Sequence, residues 1–342
     1  MKKEALLYNK LKGAGVQCIL CSHRCKIPDQ KLGICGVRQN SGGVLYSLVY
    51  GEIIASNVDP IEKKPLYHFL PGTQSFSIAA PGCNFRCVFC QNWQISQMKA
   101  GREVSFEDHF CPATDTVNAA VAQKCASISY TYSEPTVFFE YCLDVSKLAR
   151  EKGLKNVWVT NGFMTPEALE VILPYMDAAN IDLKFFRERS YRNICGGSLK
   201  PVQETIAFLR RHNVWVEVTT LVVPKKNDSA AELRQIASFL AGVDPDMPWH
   251  VSRFFPNYQY DKEQPTSEGV LQSASEIGRK CGLRYVYVDN VFGWGSSTAC
   301  PKCKELLIRR EGFFIRENRI ENGACSFCKT KIPGVFAPQP QE

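Results

Sequence analysis

The sequence Pro81-Gly82-Cys83-Asn84-Phe85-Arg86-Cys87-Val88-Phe89-Cys90 holds three cysteines, with three and then two residues between them. It follows a short apolar run, residues 75–80, that is typical of a buried strand. Three thiolates on one loop suit an iron–sulfur cluster, and three ligands on a cubane leave one iron open to a small molecule. The alternatives are a structural zinc loop with its fourth ligand elsewhere, or three buried thiols.

From residue 75 onward, the sequence contains six apolar, β-branched runs that are typical of strands. Segments with a helical pattern lie between these runs. The predicted strands are residues 75–80, 126–131, 155–160, 178–183, 214–223 and 248–254, with a further candidate at 284–288. Strands alternating with helices indicate an α/β fold with a parallel sheet. Six βα units are too few to close an eight-stranded barrel, so we expect an open, partial βα barrel of about six parallel strands. Functional side chains should lie at the carboxyl ends of these strands.

Two further cysteine clusters lie near the ends of the chain. Four cysteines in the first form a candidate closed metal site: Cys18, Cys21, Cys25 and Cys35. Zinc is our first choice there, a second iron–sulfur cluster is the alternative metal, and unligated thiols are the alternative to a metal. The second cluster has two CxxC pairs in a zinc-ribbon pattern, with a rubredoxin-like iron site as the alternative: Cys300, Cys303, Cys325 and Cys328.

These patterns divide the chain into four predicted parts. Residues 1–74 form an N-terminal cysteine-rich extension, and residues 75–295 form the partial barrel. Residues 296–336 form the zinc-ribbon-like module, and residues 337–342 form a disordered tail rich in Pro and Gln. Within the first part, Asp59, Lys63, Lys64 and His68 are expected to be solvated loop residues, on a segment that could cover the cysteine loop.

Composition places the protein among ordinary globular chains. It has 342 residues, of which 45% are hydrophobic and 22% are charged. The N-terminus lacks the apolar region of a secretory signal, and no apolar run approaches the length of a membrane span, so we expect a cytoplasmic protein without a membrane association. Sixteen cysteines grouped in CxxC-like pairs indicate bound metal in a reducing compartment rather than disulfides.

The net charge of +7 is concentrated near the terminal cysteine clusters. Residues 1–40 carry eight Lys or Arg against two acids, and residues 300–331 carry eight against four. We favour local neutralisation of metal-bound thiolates as the explanation. An acidic protein partner or nucleic acid is the alternative, although no RNA-binding motif accompanies the basic residues.

The cysteine loop at residues 83–90 resembles the CxxxCxxC signature of the radical S-adenosylmethionine (SAM) enzymes. Four other stretches extend the resemblance to the AmmeMemoRadiSam-system radical SAM enzymes, relatives of the pyruvate formate-lyase activating enzymes: ISYTYSEPT at 128–136, VTNGF at 159–163, IDLKFF at 181–186 and HVSRFFPNY at 250–258. The resemblance runs from about Cys18 to Phe336. It implies that the open iron binds the amino and carboxylate groups of SAM, and that the reduced cluster cleaves SAM to a 5′-deoxyadenosyl radical.

The same resemblance assigns residues to the cluster and to SAM. The cluster is held by Cys83, Cys87 and Cys90, and the residues expected to border SAM or an associated cation are Phe89, Glu134, Thr160, Asn161, Asp182, Lys184 and His250. From the residues alone, Glu134 is an acid at a helix start, and His250 is a strand histidine of the kind that is usually structural. Asp182 and Lys184 share one face of a strand, and a plain buried ion pair of Asp182 with Lys184 or with Arg253 is the alternative to a ligand site.

The resemblance also implies an electron donor and leaves the substrate open. A ferredoxin- or flavodoxin-like protein of low potential would reduce the cluster. The radical would abstract hydrogen from a glycyl radical enzyme, or from a small molecule or other macromolecule. A non-catalytic iron–sulfur electron carrier or zinc-based interaction module is the alternative of a different class, and it does not require polar residues at the strand ends.

Overall fold

The computed structural model describes residues 2–97 and 110–336. The N-terminal part contains two small antiparallel sheets, which are made from short strands. These strands are β1 (Lys3–Glu4), β2 (Tyr8–Lys10), β3 (Val16–Cys18), β4 (Lys26–Ile27), β5 (Arg38–Ser41) and β6 (Val44–Ser47). One sheet has the order β1-β6-β5 and the other has the order β2-β3-β4.

The central feature is an eight-stranded sheet. Its strands are β7 (Ala55–Pro60), β8 (Gln74–Ala79), β9 (Ser127–Tyr130), β10 (Lys155–Thr160), β11 (Ala178–Asp182), β12 (Trp215–Val222), β13 (Trp249–Arg253) and β14 (Val286–Asp289). They lie side by side in chain order, and β8 to β14 are parallel, while β7 joins the edge of β8 in the antiparallel direction. The predicted open α/β architecture is therefore confirmed, with the candidate strand at 284–288 included as a seventh parallel strand.

Helices connect most of the parallel strands. They are α1 (Trp93–Ser96), α2 (Ala113–Ala122), α3 (Phe139–Glu151), α4 (Pro166–Ile172), α5 (Glu188–Ser190), α6 (Leu199–Arg211), α7 (Ala230–Val243) and α8 (Glu268–Lys280). Local sequence sets several starts. The side chain of Ser229 accepts a hydrogen bond from Glu232 N at the start of α7, and the side chain of Thr165 accepts one from Ala168 N at the start of α4. Such N-caps satisfy amide groups that the helix itself cannot pair.

Large apolar and aromatic side chains fill the space between the sheet and its helices. Trp158 on β10 and Trp249 on β13 are fully buried, and so are Tyr141 and Phe139 on α3. This packing leaves the carboxyl ends of the parallel strands free to carry polar groups, as the βα architecture requires.

The C-terminal part forms small antiparallel sheets with a separate apolar cluster. Its strands are β15 (Thr298–Ala299), β16 (Leu306–Glu311), β17 (Phe314–Asn318), β18 (Ile320–Glu321) and β19 (Ala324–Cys325). Arg310 joins this part to the segment before β8: its Nη2 donates to Tyr67 O at 2.7 Å, and its Nε lies 3.6 Å from a carboxylate oxygen of the buried Glu62. The four-part division of the chain stays a prediction, and the predicted disordered tail, 337–342, lies outside the described residues.

No helix within 2–97 or 110–336 combines the length and the apolar character needed to cross a membrane. All sixteen cysteines are free thiols.

Candidate active site

A cavity of about 470 Å³ opens at the carboxyl ends of the parallel strands. The predicted site residues that line it are Cys83, Cys87, Phe89, Cys90, Glu134, Thr160, Asn161, Asp182 and Lys184. They come from the loop after β8, the segment after β9, the ends of β10 and β11, and the residues that follow them. The alternation of strand and helix therefore brings together side chains that are about one hundred residues apart in sequence.

The three thiols of the loop line this cavity and are not clustered as tightly as the ligands of a single ion. Within the described ranges, the four C-terminal cysteines form the one set of at least three potential metal ligands whose donor atoms all lie within 4.8 Å of one another. Cys83, Cys87 and Cys90 do not meet that limit. Ligands of a single tetrahedral ion with bonds of about 2.3 Å would lie about 3.8 Å apart. Ligands of a cubane bind different irons and lie further apart, so the sulfur atoms of the loop are too widely spaced for a single closed ion and have no such limit to meet for a cubane.

Cys195 is the other cysteine near this site. Its thiol lies close to Cys87, and this neighbour together with burial raises the pKa of Cys87. Cys195 is fully buried and is not among the residues that line the cavity. Within the cavity lining, Cys83, Cys87 and Cys90 are thus the cysteines available to a cluster, which leaves one iron without a cysteine.

Hydrogen bonds fix the shape of the cysteine loop. The amide of Phe85 donates to Cys83 Sγ at 3.3 Å, and Arg86 Nη1 donates to Cys83 O at 2.9 Å. Cys90 Sγ lies 3.1 Å from Ser96 Oγ. Gly82 has φ +103°, and a β-carbon there would approach Val37 Cγ1 to 2.8 Å, so glycine is required on both counts.

Glu134 is buried at the end of β9 and is held by four donors. Its Oε1 accepts from Thr136 N at 3.0 Å, Thr136 Oγ1 at 2.5 Å and Thr160 Oγ1 at 2.7 Å, and its Oε2 accepts from Asn161 N at 2.9 Å. Burial raises the pKa of Glu134, and the hydrogen bonds from Asn161, Thr136 and Thr160 oppose that rise. Four donors orient one carboxylate toward the cavity, where Oε2 has capacity for a further donor.

Asn161 connects this carboxylate network to the cysteine loop. Its Nδ2 donates to Asn84 Oδ1 at 2.7 Å and lies 3.8 Å from Cys83 Sγ. Asn84 is fully buried and was not singled out from the sequence, because its position inside the cysteine loop carries no pattern of its own. The loop and the strand ends are therefore held as one hydrogen-bonded unit.

Asp182 and Lys184 lie together at the end of β11, as their alternation predicts. Lys184 Nζ is 2.8 Å from Asp182 Oδ2, and both residues line the cavity. Burial alone would lower the pKa of Lys184, but the negative charges of Asp182 and of a Cys87 thiolate outweigh it and raise the pKa well above its usual value. The ion pair that we considered as an alternative is thus present within the cavity lining.

The sequence did not predict that Lys64, which is paired with Asp59, would be a second charged group at the cavity. Lys64 is 1% exposed, and its Nζ lies 2.6 Å from Asp59 Oδ2, which also accepts from Tyr132 OH. Burial lowers the pKa of Lys64 to about 8, and Asp59 opposes that change. The expectation that Asp59, Lys64 and His68 are solvated loop residues is wrong, because each is buried and hydrogen bonded, whereas Lys63 is half-exposed.

His250 lies beneath the cavity and not among its lining residues. It is fully buried between two carboxylates, with Nε2 2.7 Å from Glu217 Oε2 and Nδ1 2.9 Å from Asp289 Oδ2. Burial alone would lower its pKa, but the two carboxylates raise the pKa of His250 to about 9. With both ring nitrogens bonded to protein, His250 has no free atom for SAM, and its prediction as a SAM contact gains no support from this geometry.

The N-terminal cysteines line a small cavity of their own. Its lining includes all four predicted ligands: Cys18, Cys21, Cys25 and Cys35. Burial raises the pKa of each of these thiols. Like the loop cysteines, they are not all within 4.8 Å of one another.

The C-terminal cysteines are closer together. The ligand atoms of Cys300, Cys303, Cys325 and Cys328 all lie within 4.8 Å of one another, with Cys300 Sγ 3.6 Å from Cys328 Sγ and Cys303 Sγ 3.7 Å from Cys325 Sγ. These distances match the edge of about 3.8 Å expected for a tetrahedral thiolate site with metal–sulfur bonds of about 2.3 Å. The residues present therefore fit a single closed metal ion, such as zinc or iron.

Comparison with known proteins agrees with this geometry. The model of the Radical SAM superfamily matches residues 77–240. Uncharacterized protein MJ0808 of Methanocaldococcus jannaschii is 41% identical over 338 residues, which cover 98% of this chain and 100% of that protein. Pyruvate formate-lyase 1-activating enzyme of Escherichia coli K12 is 24% identical over 219 residues, covering 60% of this chain and 89% of the enzyme.

Solved structures show the same fold. The crystal structure of Streptococcus suis SuiB bound to S-adenosylmethionine matches with a TM-score of 0.50 at 13% identity, covering 69% of this chain and 56% of SuiB. A radical SAM methyltransferase from Sphaerobacter thermophilus also matches with a TM-score of 0.50 at 13% identity, covering 65% and 68% of the two chains. The matching superfamily model, the full-length relative, the cysteine loop and the sheet that presents it all agree, and the chain belongs to the radical SAM superfamily.

Proposed function

We propose that this protein cleaves SAM reductively and uses the resulting radical to abstract hydrogen from a substrate. The observation that carries the proposal is the shared cavity, in which the three thiols of the CxxxCxxC loop lie beside a buried, oriented carboxylate. A bound [4Fe–4S] cluster with SAM at its open iron supplies the electron and the 5′-deoxyadenosyl group for this chemistry.

The chain's own residues hold and orient these groups. Cys83, Cys87 and Cys90 would ligate the cluster, and Glu134 Oε2 would accept a hydrogen bond from the ammonium group of SAM. The ion pair of Asp182 and Lys184 would border the methionine or ribose part of SAM. Phe89 is 3% exposed and packs against Phe185 with ring centroids 6.1 Å apart, so it would limit access of water beside the last cysteine.

The size of the cavity restricts how a substrate enters. The volume of about 470 Å³ lies within the range of small-molecule sites and would also have to hold the cluster and SAM, so a folded domain cannot enter it. A small molecule, or an extended segment of a larger molecule, can enter the cavity. Similarity to the activating enzyme of E. coli makes an extended backbone segment of a glycyl radical enzyme the first candidate substrate.

A small anionic molecule is the second candidate. Lys63 and Lys64 both line the cavity and share the one carboxylate of Asp59, so one of their two positive charges is not offset by that partner. Such charge attracts carboxylates or phosphates. Incubating protein and SAM separately with the protein fraction and the small-molecule fraction of extracts from cells grown in deuterated medium would separate the two candidates, because hydrogen abstraction places deuterium in 5′-deoxyadenosine only with the fraction that contains the substrate.

The proposal is tested by anaerobic reconstitution with iron and sulfide, followed by incubation with SAM and either dithionite or a flavodoxin as the low-potential donor. We expect 5′-deoxyadenosine to accumulate. A protein with Cys87→Ala should form none, whereas Cys281→Ala, a change far from the cavity, should retain the activity. Absence of 5′-deoxyadenosine from the fully loaded wild-type protein would contradict the proposal.

We also propose that the C-terminal quartet holds zinc and that the protein works in a reducing compartment such as the cytoplasm. The sulfur distances of 3.6 and 3.7 Å support a single ion, and cysteines grouped to bind metal, with no disulfide among the described residues, suit reducing conditions. Elemental analysis of protein purified without added metal tests the zinc assignment, and one iron without labile sulfide in its place would contradict it.

A further inference from the structure

We propose that the N-terminal quartet, Cys18, Cys21, Cys25 and Cys35, holds a second [4Fe–4S] cluster that passes electrons to the cluster at the active site. The identity of this cluster stands on the quartet alone. Its role as an electron relay rests on the function proposed above.

The separation of the sulfur atoms is the first observation. The C-terminal quartet is spaced for one ion, whereas the sulfur atoms of the loop triad do not all lie within 4.8 Å of one another. The N-terminal quartet behaves like the triad: its members line a common cavity, yet their sulfur atoms are not all within 4.8 Å of one another. Cubane ligands bind different irons, whereas zinc ligands must converge to about 3.8 Å, so the spacing favours the cluster over our first choice of zinc.

A buried donor without a partner is the second observation. Arg38 is 1% exposed and lines the same cavity. Its Nη1 and Nη2 donate to Glu140 at 3.1 and 2.5 Å, but its Nε has no hydrogen-bond partner in the described ranges. A buried N–H group without an acceptor is costly, and the thiolates or sulfides of a cluster would supply one.

The surroundings of the quartet agree with a cluster that stays intact. The remaining cavity lining includes the apolar side chains of Leu20, Ile27 and Val137. The guanidinium of Arg38 acts on both Cys18 and Cys35, and it would offset part of the negative charge of a thiolate-bound cluster. Apolar enclosure and a nearby cation are among the factors that set the potential of such a cluster.

Direct contacts join the quartet to the active-site loop. His23 Nε2 lies 2.8 Å from Asn84 O, beside Cys83. Arg86 donates from Nη2 to Ile34 O and from Nη1 to Cys83 O, so one side chain touches both cysteine segments. A β-carbon on Gly82 would lie 3.3 Å from Cys35 O. The two sites are therefore adjacent, and an electron can pass between them within one packed unit.

The charge near the quartet suits an acidic donor. Residues 1–40 carry eight basic and two acidic side chains, and seven of the basic ones are at least partly exposed, since Arg38 is buried against Glu140. Ferredoxin- and flavodoxin-like donors of low potential would be attracted to such a surface if they carry acidic patches. In each transfer the reduced donor loses one electron, the N-terminal cluster is reduced from the 2+ to the 1+ core and then reoxidised, and the active-site cluster gains that electron, with no proton required.

Iron, labile sulfide and zinc contents of reconstituted variants test the identity of the site. A protein with Cys83→Ser, Cys87→Ser and Cys90→Ser should keep about four irons and about four sulfides per chain, with the Mössbauer spectrum of a [4Fe–4S] cluster. Labile sulfide separates this result from a rubredoxin-like iron at the C-terminus, which contains none. A protein with Cys21→Ser and Cys25→Ser should also keep about four irons and about four sulfides per chain. The variant with all five changes should have neither the irons nor the sulfides of a cluster.

Cys281→Ser is the matched control, because Cys281 is a partly buried cysteine outside both sites. This variant should keep the wild-type contents of iron, labile sulfide and zinc. The assignment is overturned if the variant lacking the loop triad contains no labile sulfide, whether the quartet then holds a zinc ion or no metal. Because this variant cannot cleave SAM, the result does not depend on the proposed function.

The relay is tested with two reductants. In the variant with Cys21→Ser and Cys25→Ser, formation of 5′-deoxyadenosine should be lost when flavodoxin is the donor and retained when dithionite, a small reductant, reaches the active-site cluster directly. An unchanged rate with flavodoxin, or an equal loss with both reductants, would overturn the relay. If the wild-type protein forms no 5′-deoxyadenosine with either reductant, the proposed function fails while the cluster assignment stands.

Discussion

Glu134→Gln should weaken the binding of SAM while leaving the cluster in place. The carboxylate is held by four donors and faces the cavity that contains the loop cysteines. A glutamine can keep Oε1 as the acceptor for Thr136 and Thr160, but its amide nitrogen would then face Asn161 N–H, and two donors would oppose each other. The change also removes the charge that would pair with the ammonium group of SAM.

The expected size follows from the kind of contact that is lost. A hydrogen bond to a charged group contributes about 1.5–3 kcal/mol. Since each 1.4 kcal/mol corresponds to about a tenfold change in affinity, the dissociation constant for SAM should rise by about 10–150-fold. The iron and sulfide content should not change, because Glu134 is not proposed as a ligand.

Anaerobic isothermal titration of reconstituted protein with SAM measures this constant. Glu167→Gln is a suitable control, since Glu167 is partly exposed and pairs with Arg24 at 2.8 Å outside the cavity. Unchanged SAM affinity in a folded, cluster-loaded Glu134→Gln protein would refute the role of this carboxylate.

Three further changes test other parts of the molecule. His250→Gln removes a cation whose pKa is raised to about 9. Below about pH 6.5 the wild type should therefore be more stable than the variant by about 3 kcal/mol. This difference in the free energy of unfolding should disappear as the pH rises through about 9. Unfolding by urea at several pH values measures this, and a pH-independent difference would contradict it. Gly82→Ala would bring a β-carbon to 2.8 Å from Val37 and should lower iron content, whereas Gly153→Ala, at similarly positive φ but with open space around it, should not; equal iron loss in both would count against the reasoning. Cys303→Ser should remove one metal ion per chain without lowering labile sulfide, and a loss of sulfide would show that the C-terminal site holds a cluster.

Much of the fold was accessible from the sequence because the parallel strands are buried on both faces. Their apolar, β-branched runs, such as residues 155–160 and 214–223, stand out without any tertiary information. Strand β7 is different: Ser56, Asn57 and Val58 are exposed, so no apolar run marks it as part of the main sheet. Its antiparallel place at the edge follows from pairing with β8, which a sequence does not reveal.

The candidate site shows where sequence reasoning ends. The alternation along β13 predicts that His250 and Ser252 share a face, but it does not tell their depth, and Ser252 lines the cavity while His250 lies below it. Lys64 and Asp59 resemble solvated loop residues, and their burial depends on a contact with Tyr132, 73 positions away from Asp59. Cysteine spacing likewise finds the ligands of each metal site but does not give the distances that separate a cluster from a single ion.

The central claim is that the cluster held by Cys83, Cys87 and Cys90 leaves one iron open for SAM. Electron–nuclear double resonance of the reduced, SAM-bound protein tests it most directly, using SAM labelled with ¹⁵N in the amino group and ¹⁷O in the carboxylate. To avoid signal from a second cluster, the measurement is made in the variant with Cys21→Ser and Cys25→Ser. We expect hyperfine coupling of both labels to the cluster, and their absence in a sample that binds SAM would contradict the account.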